Sequence, residues 1–261
     1  MKVCLDPGHY EGYNRGYNKA YAEGTAMFNY SRKLGAQLLQ HGIEVIYTKK
    51  TVDANPSLMT RGKTAKGCDL FVSLHSNGVN DPKAYGVSTF YSIKRDEDKT
   101  PAQNWCDRLA ALIVGGTRSR GATTRKGGGD WDYYTVIQGA VAVGCPHVFL
   151  IEHGFHSNPD ECAWLMQEEN LDAMAELECH IICDILGIPF EPKVTTIANP
   201  DGKVIYAYYG PATTARKLAY VPPGQEVKRT GIKKNGMEKV KFTVDVFGYI
   251  AEKELVDEVQ N

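Results

Sequence analysis

Residues 69–77 read DLFVSLHSN, an apolar run that closes on polar residues. A short apolar run of this length reads as a buried strand, which places His75 at its carboxyl end. The same figure recurs along the chain. Val3–Leu5 runs into DPGHY, EVIYT covers 44–48, GVSTFYSI covers 86–93, and HVFLIEHGFHSN covers 147–158. Between these runs the period changes. Met27, Tyr30, Leu34 and Leu38 recur at three and four residues, one face of a helix from Glu23 to about Gln40, with Gly42 as its stop. Ser57 is a plausible N-cap for a short helix to Ala65. Trp105, Leu109 and Leu112 mark a helical face over 101–115, and 160–186 reads as helix in two pieces. Apolar strands alternating with amphipathic helices predict an α/β domain over 1–186, a mixed or parallel sheet flanked by helices. Sites in open α/β sheets gather at the carboxyl ends of strands. His9, His75 and Glu152 all fall there.

GIPFEPK (187–193), with two prolines and a glycine, reads as a linker. Beyond it, 194–261 holds short alternating runs such as KVIYAYY, KLAYV, EKVKFTV and FGYIAEKEL, separated by Gly, Pro and Asn. That texture predicts a small all-β barrel.

Composition narrows the function. Of 261 residues, 30 are Lys or Arg and 31 are Asp or Glu, so the net charge of −1 gives no global pull toward nucleic acid or anionic membrane. No window of about 20 apolar residues exists, so no membrane insertion is expected. The apolar run near the N-terminus, Val3 to Leu5, is too short for a signal-peptide core. The expectation is a chain without a signal peptide, held in the cytoplasm until released. Its seven cysteines are odd in number and contain no CxxC, which predicts reduced, mostly buried thiols. A monomer is the default expectation.

His9, Glu23 and His75 are the candidate metal ligands. Two imidazoles and a carboxylate at the ends of regular elements suit Zn²⁺ with one position left open. Each also has a simpler reading: a lone His at a strand end can be a hydrogen-bonded structural residue, and Glu23 suits a helix N-terminus by charge alone. Glu152 follows four apolar residues, where a carboxylate is costly unless paired or functional, and it is the candidate acid/base. His153 and His156 read as substrate-side or structural. The stretch 117–134 carries Arg118, Arg120, Arg125 and Lys126 and reads either as a solvated loop or as a groove wall for an anionic peptide. Arg125 and Tyr134 are its candidate substrate contacts, with His153.

These landmarks together resemble the zinc-dependent N-acetylmuramoyl-L-alanine amidases. The resemblance rests on DPGH (6–9), on Glu23 opening the first long helix, on LMTRGKTAKGCDLFVSLHSN (58–77) and on HVFLIEHGFHSN (147–158), in that order over residues 1–186. It implies Zn²⁺ on His9, Glu23 and His75, Glu152 as catalytic acid/base, and hydrolysis of the amide joining N-acetylmuramic acid to L-alanine in peptidoglycan. His153 and His156 depart from the family pattern. The C-terminal part resembles a bacterial SH3-type module through Gly210-Pro211, Gly224–Val227 and Gly248-Tyr249-Ile250 to Leu255. This implies cell-wall binding, with Tyr206, Tyr208 and Tyr209 as candidate stacking residues. The combination resembles a phage or prophage endolysin acting on Gram-positive wall. The alternatives are a host autolysin, a metallopeptidase of the stem peptide, and an inactive wall-binding protein.

Overall fold

Strand β1 (Lys2–Pro7) lies beside β3 (Leu70–Asn77) in parallel, Val3 opposite Leu70 and Asp6 opposite Ser73. The computed structural model describes residues 1–190 and, beyond them, 194–197, 205–208, 212–215, 217–221, 226–243, 246–251 and 255–257. The chain divides into two units, Met1–Pro189 and Phe190–Asn261.

In the first unit, β2 (Glu44–Tyr47) flanks β1, and β6 (His147–Phe155) flanks β3, all four parallel. Next come β4 (Val87–Tyr91), antiparallel to β6, and β5 (Ser119–Thr123), giving the order β2-β1-β3-β6-β4-β5. The sheet is therefore mixed. Strand β5 lies inside the stretch read from sequence as loop or groove wall; its weakly apolar SRGAT carries no strand period and is held by pairing with β4.

Helices cover both faces. Helix α1 (Glu23–Gln40) packs on β1 and β3 and against α6 (Glu168–Leu186), which also meets α3 (Lys99–Leu112). The other face carries α2 (Leu58–Lys63) against α4 (Thr135–Ala142), while α5 (Pro159–Leu165) follows β6. Ser57 caps α2, its Oγ accepting from the Thr60 amide at 3.3 Å. Helix α4 was not expected: its eight residues, apolar nearly throughout, lack the two-turn amphipathic stripe that sequence reading requires. Val136, Ile137 and Ala140 of α4 pack with Cys4, Phe71, Val148 and Leu150 of the sheet. All seven cysteines are buried and unbridged. Among the described residues no helix is long and apolar enough to cross a membrane.

Because α1 leaves β1 on one face and α2 enters β3 from the other, the chain diverges between the carboxyl ends of β1 and β3. This is the crevice where open sheets bind ligands. A buried ion pair fixes that end. Arg61 of α2 donates to both Asp6 oxygens, Nε to Oδ1 at 2.7 Å and Nη2 to Oδ2 at 2.8 Å. Thr48 and Ser73 hydroxyls donate to the same carboxylate, each at 2.6 Å. Burial opposes ionisation, but the Arg61 charge and these donors hold the Asp6 carboxyl below its usual range.

The second unit is antiparallel throughout its described strands. These are β7 (Val194–Ile197), β8 (Ile205–Tyr208), β9 (Lys217–Val221), β10 (Glu226–Lys234), β11 (Met237–Thr243), β12 (Val246–Ala251) and β13 (Leu255–Asp257), in the order β13-β7-β10-β11-β12-β8-β9. Asn235 and Gly236, both at positive φ, turn β10 into β11. Ala207, Val221, Met237, Val240 and Ile250 are buried. Tyr206 and Tyr208 alternate with buried Ala207 and so stand half-buried on the opposite face of β8. Tyr209, residues 191–193 of the expected linker, Gly210-Pro211 and residues 224–225 of the Gly224–Val227 landmark lie outside the described residues.

Removing Arg61 while leaving Asp6 isolates a buried charge. Arg61→Leu is expected to cost about 3–5 kcal/mol in a urea titration. Asp6 has a lower pKa folded than unfolded. The pair's contribution is therefore complete above about pH 4 and is lost as pH falls through the folded value. The acid limb of wild-type stability should accordingly be steeper than that of Arg61→Leu.

Candidate functional site

The chain leaving β1 makes its first sharp turn at Gly8-His9. The Gly8 amide donates to the Leu74 carbonyl at 2.9 Å, which draws the turn against β3. A Cβ on Gly8 would lie 2.4 Å from Cε1 of the His75 ring, so only glycine allows the approach. His9 itself holds a left-handed φ of 54°, an uncommon conformation for a residue with a side chain. The Lys49 ammonium donates to the His9 carbonyl and pins this backbone. Burial and the nearby Arg61 charge lower the Lys49 pKa to about 8.

Glu23 is the first residue of α1. Its N-cap, Ala22, supplies no side-chain bond, so the Glu23 carboxylate sits at a bare helix N-terminus, where negative charge is favoured. Oε1 lies 2.9 Å from His75 Nδ1 and accepts from the Ser76 amide at 3.2 Å. Oε2 lies 3.3 Å from His9 Nε2 and accepts from the Asn14 amide group at 2.7 Å. Burial opposes ionisation here as well, yet the contacts with His75 and His9 hold the carboxyl well below the usual range. The His9 and His75 rings stand edge to face at 5.0 Å, and Tyr13 stacks on His9 at 4.6 Å.

His9, Glu23 and His75 thus each present one donor atom within 4.8 Å of the others, in a partly open cluster. Two imidazole nitrogens and one carboxylate oxygen make a donor set suited to Zn²⁺. Ser73 Oγ, 3.1 Å from His75 Nε2, ties the ring back to Asp6.

Glu152 stands directly beside His75 in the β3–β6 register and beside Ser88 in the β6–β4 register. Neighbours in register share a face of the sheet at about 4.8 Å strand spacing. Oε2 of Glu152 is sealed from solvent with no hydrogen-bond partner among the described residues, although the residue as a whole keeps partial exposure. Burial, with the Glu23 charge second, raises its pKa well above the usual carboxylate value. A perturbed carboxyl beside a cluster of donors is a candidate acid/base.

Two of the other expected residues frame this end. Tyr134 packs edge to face on Phe90 at 4.9 Å, and Phe90 lies one pair further along the same face of the sheet as Ser88 and Glu152. The Arg125 guanidinium lies 3.5 Å over the Tyr133 ring and 5.9 Å from that of Tyr134. Exposed Arg125 and Tyr133 and half-buried Tyr134 form a cationic and aromatic wall on the Glu152 side. Asp132 holds the wall's base, accepting from Ser92 Oγ and the Ile93 amide, both at 2.8 Å.

His153, read from sequence as substrate-side or structural, lies on the face of the sheet opposite Glu152. Alternation along β6 turns it there, and it is fully buried. Its Nε2 lies 3.0 Å from Glu178 Oε1. His156 is also buried, its Nδ1 2.9 Å from Ser76 Oγ. Asn14, Tyr13, Ser73 and Lys49 were missed as supports. Ser73 had a signal, two residues before His75 on the same strand face. The other three sit in loops whose sequence carries no period.

The family described as N-acetylmuramoyl-L-alanine amidase matches residues 3–184. The chain is similar to the catalytic domain of CwlV, an N-acetylmuramoyl-L-alanine amidase from Bacillus (Paenibacillus) polymyxa var. colistinus. That likeness has 27% identity and a TM-score of 0.60, and covers 72% of this chain and 99% of that one. An N-acetylmuramoyl-L-alanine amidase from Clostridium difficile 630 is similar at 26% identity and TM-score 0.60, over 71% of this chain and 96% of that one. The catalytic domain of the CD27L endolysin, targeting Clostridia difficile, shares the fold at 19% identity and TM-score 0.55, over 73% of this chain and 99% of that one. No curated protein matches.

Gly8→Ala should drive a methyl group into the His75 ring. The expected outcome is a stability loss of about 1–3 kcal/mol, as in other overpacked sites. Displacement of the His75 ring from Glu23 should accompany it, read from the His75 imidazole resonances by NMR.

Proposed function

This chain belongs to the N-acetylmuramoyl-L-alanine amidase family, and from that premise we propose that it is a zinc-dependent peptidoglycan hydrolase in which Glu152 is the acid/base. The observation that carries the reading is the unpartnered, buried Glu152 oxygen, one strand away from His75 in the His9–Glu23–His75 cluster.

In this reading His9, Glu23 and His75 hold the ion. An ion held by these three residues would supply Lewis acidity to the scissile carbonyl and the attacking water. The chain's own residues do the rest. Glu23, kept ionised by its two imidazole neighbours and the Asn14 and Ser76 donors, stays a charged ligand. Glu152 takes the proton of the attacking water at a carboxylate oxygen and returns it to the leaving L-alanine nitrogen. Its partial burial limits competing water. Arg125, Tyr133 and Tyr134 line the Glu152 side of the site, where a guanidinium suits the carboxylates of a stem peptide.

The second unit we read as an SH3-like wall-binding module. Tyr206 and Tyr208, side by side on the outer face of β8 with Lys217 lying 3.6 Å over the Tyr206 ring, offer a flat apolar surface with a cation beside it. For the biological role we favour an endolysin acting on Gram-positive peptidoglycan. Seven buried, unbridged cysteines suit accumulation in a reducing cytoplasm before release to the wall.

Purified Gram-positive peptidoglycan digested with and without a chelator tests the chemistry. New N-terminal L-alanine, no new reducing ends and loss with chelator are expected. New termini from other residues would move the cut into the stem peptide, and no products with intact pelleting would leave a binding protein. Glu152→Ala should keep stoichiometric zinc and lose about 10²–10⁴-fold in rate; near-normal turnover would mean another base. Deletion of 194–261 should abolish co-sedimentation with walls, and unchanged pelleting would remove the module from that role.

A further inference from the structure

The β3–β6 ladder slips just past the site. His75 pairs with Glu152, but Asn77 pairs with Phe155, so two steps on β3 match three on β6. The extra residue is absorbed at Gly154, whose φ of 84° suits glycine alone. At this slip the His75 carbonyl accepts a hydrogen bond from a side chain, His153 Nδ1, at 2.8 Å. The other ring nitrogen reaches Glu178 of α6. Both partners are acceptors, so each nitrogen donates: Nδ1 to the His75 carbonyl, Nε2 to the Glu178 carboxylate.

Glu178 is itself a junction. Its Oε1 also accepts from Trp105 Nε1 of α3 at 2.6 Å, and its Oε2 from the Tyr30 hydroxyl of α1. Three helices on the far face are thereby tied to one carboxylate, and that carboxylate is tied through one imidazole to the backbone of His75. Tyr30, Trp105, His153 and Glu178 are all fully buried. Stability alone is a poor reason for such an arrangement, because well-packed apolar replacements of buried ion pairs are often neutral or stabilising.

We propose that His153 is a positioning residue. It transmits the rigidity of the Glu178 junction through the sheet to the His75 backbone, and so fixes this ligand against Glu152, its own neighbour in sequence. The inference rests on the reading of His9, Glu23 and His75 as the zinc site.

Two substitutions separate its halves. An Asn side-chain nitrogen can occupy the place of Nδ1, and a Gln nitrogen that of Nε2. His153→Asn therefore keeps the bond to the His75 carbonyl and loses Glu178, and His153→Gln does the reverse. Zinc affinity, by competition with a chromophoric chelator, and the thermal midpoint of the metal-free protein are measured for both. His153→Asn should hold zinc within about threefold of wild type despite a lowered midpoint. His153→Gln should keep more of the midpoint and lose about tenfold in affinity, the lower range for an outer partner of a ligand. Wild-type affinity in His153→Gln, or affinity loss that follows lost stability in both, would overturn the proposal. Wild type binding zinc no better than His75→Ala would instead sink the metal reading. Should either variant fail to fold, Glu178→Gln serves in its place. A folded Glu178→Gln is expected to lose about threefold to tenfold in zinc affinity, and unchanged affinity would overturn the proposal.

Discussion

One buried carboxylate organises the site end of the sheet. Asp6 has no exposure, and four donor bonds reach it from three segments: Arg61 on α2, Thr48 just past β2, and Ser73 on β3. Each donor belongs to a different piece of chain, so the carboxylate can be satisfied only when β1, β3 and α2 are all in place. An unpaired charge there would cost several kcal/mol, on the order of the stability of a whole domain. The turn that follows is equally constrained. Gly8 presses against the His75 ring, and Ser73 serves Asp6 and His75 at once. The position of His9 and the orientation of His75 are therefore consequences of how Asp6 is buried.

A second polar junction lies on the other face. Asp6 holds the ends of β1 and β3 from the α2 side, and Glu178 holds the β3–β6 slip from the side of α1, α3 and α6. His75 is the residue both reach, through its ring on one face and its carbonyl on the other. A site built this way inherits its precision from regular elements rather than from loops, which suits a ligand that must not drift.

The strands and most helices were legible because their signals are local. DLFVSLHSN and HVFLIEHGFHSN declare buried strands with polar ends, and Met27, Tyr30, Leu34 and Leu38 declare one helix face. Strand β5 and helix α4 were not legible, because SRGAT is defined by its pairing with β4 and TVIQGAVA is too short and too uniformly apolar to show a face. The proximity of His9, Glu23 and His75 was suggested by their places at element ends. The supports Asn14 and Lys49 were invisible, since a contact between distant segments leaves no period in either. His153 shows the limit most sharply. Two residues of the same strand, 152 and 153, point to opposite faces, and the alternation that exposes Glu152 to the cluster buries its neighbour.

Three glutamates show how environment rather than residue type divides the work. Glu23, at a helix N-terminus between two imidazoles, is held ionised and so can serve as a ligand. Glu152, one strand away, meets no donor at Oε2, and burial together with the Glu23 charge pushes it toward the protonated form. Glu178, deeper still, is fully buried too, but Tyr30, Trp105 and His153 all donate to it. The difference between Glu152 and Glu178 is therefore the supply of donors rather than burial as such. Three donors on its two oxygens hold the Glu178 carboxylate rigid. A carboxylate left short of partners beside a charged neighbour gains free energy by taking a proton and gives it up readily when charge nearby changes. In this chain the deprived glutamate is the one that shares a strand register with His75, where the proposed acid/base would act.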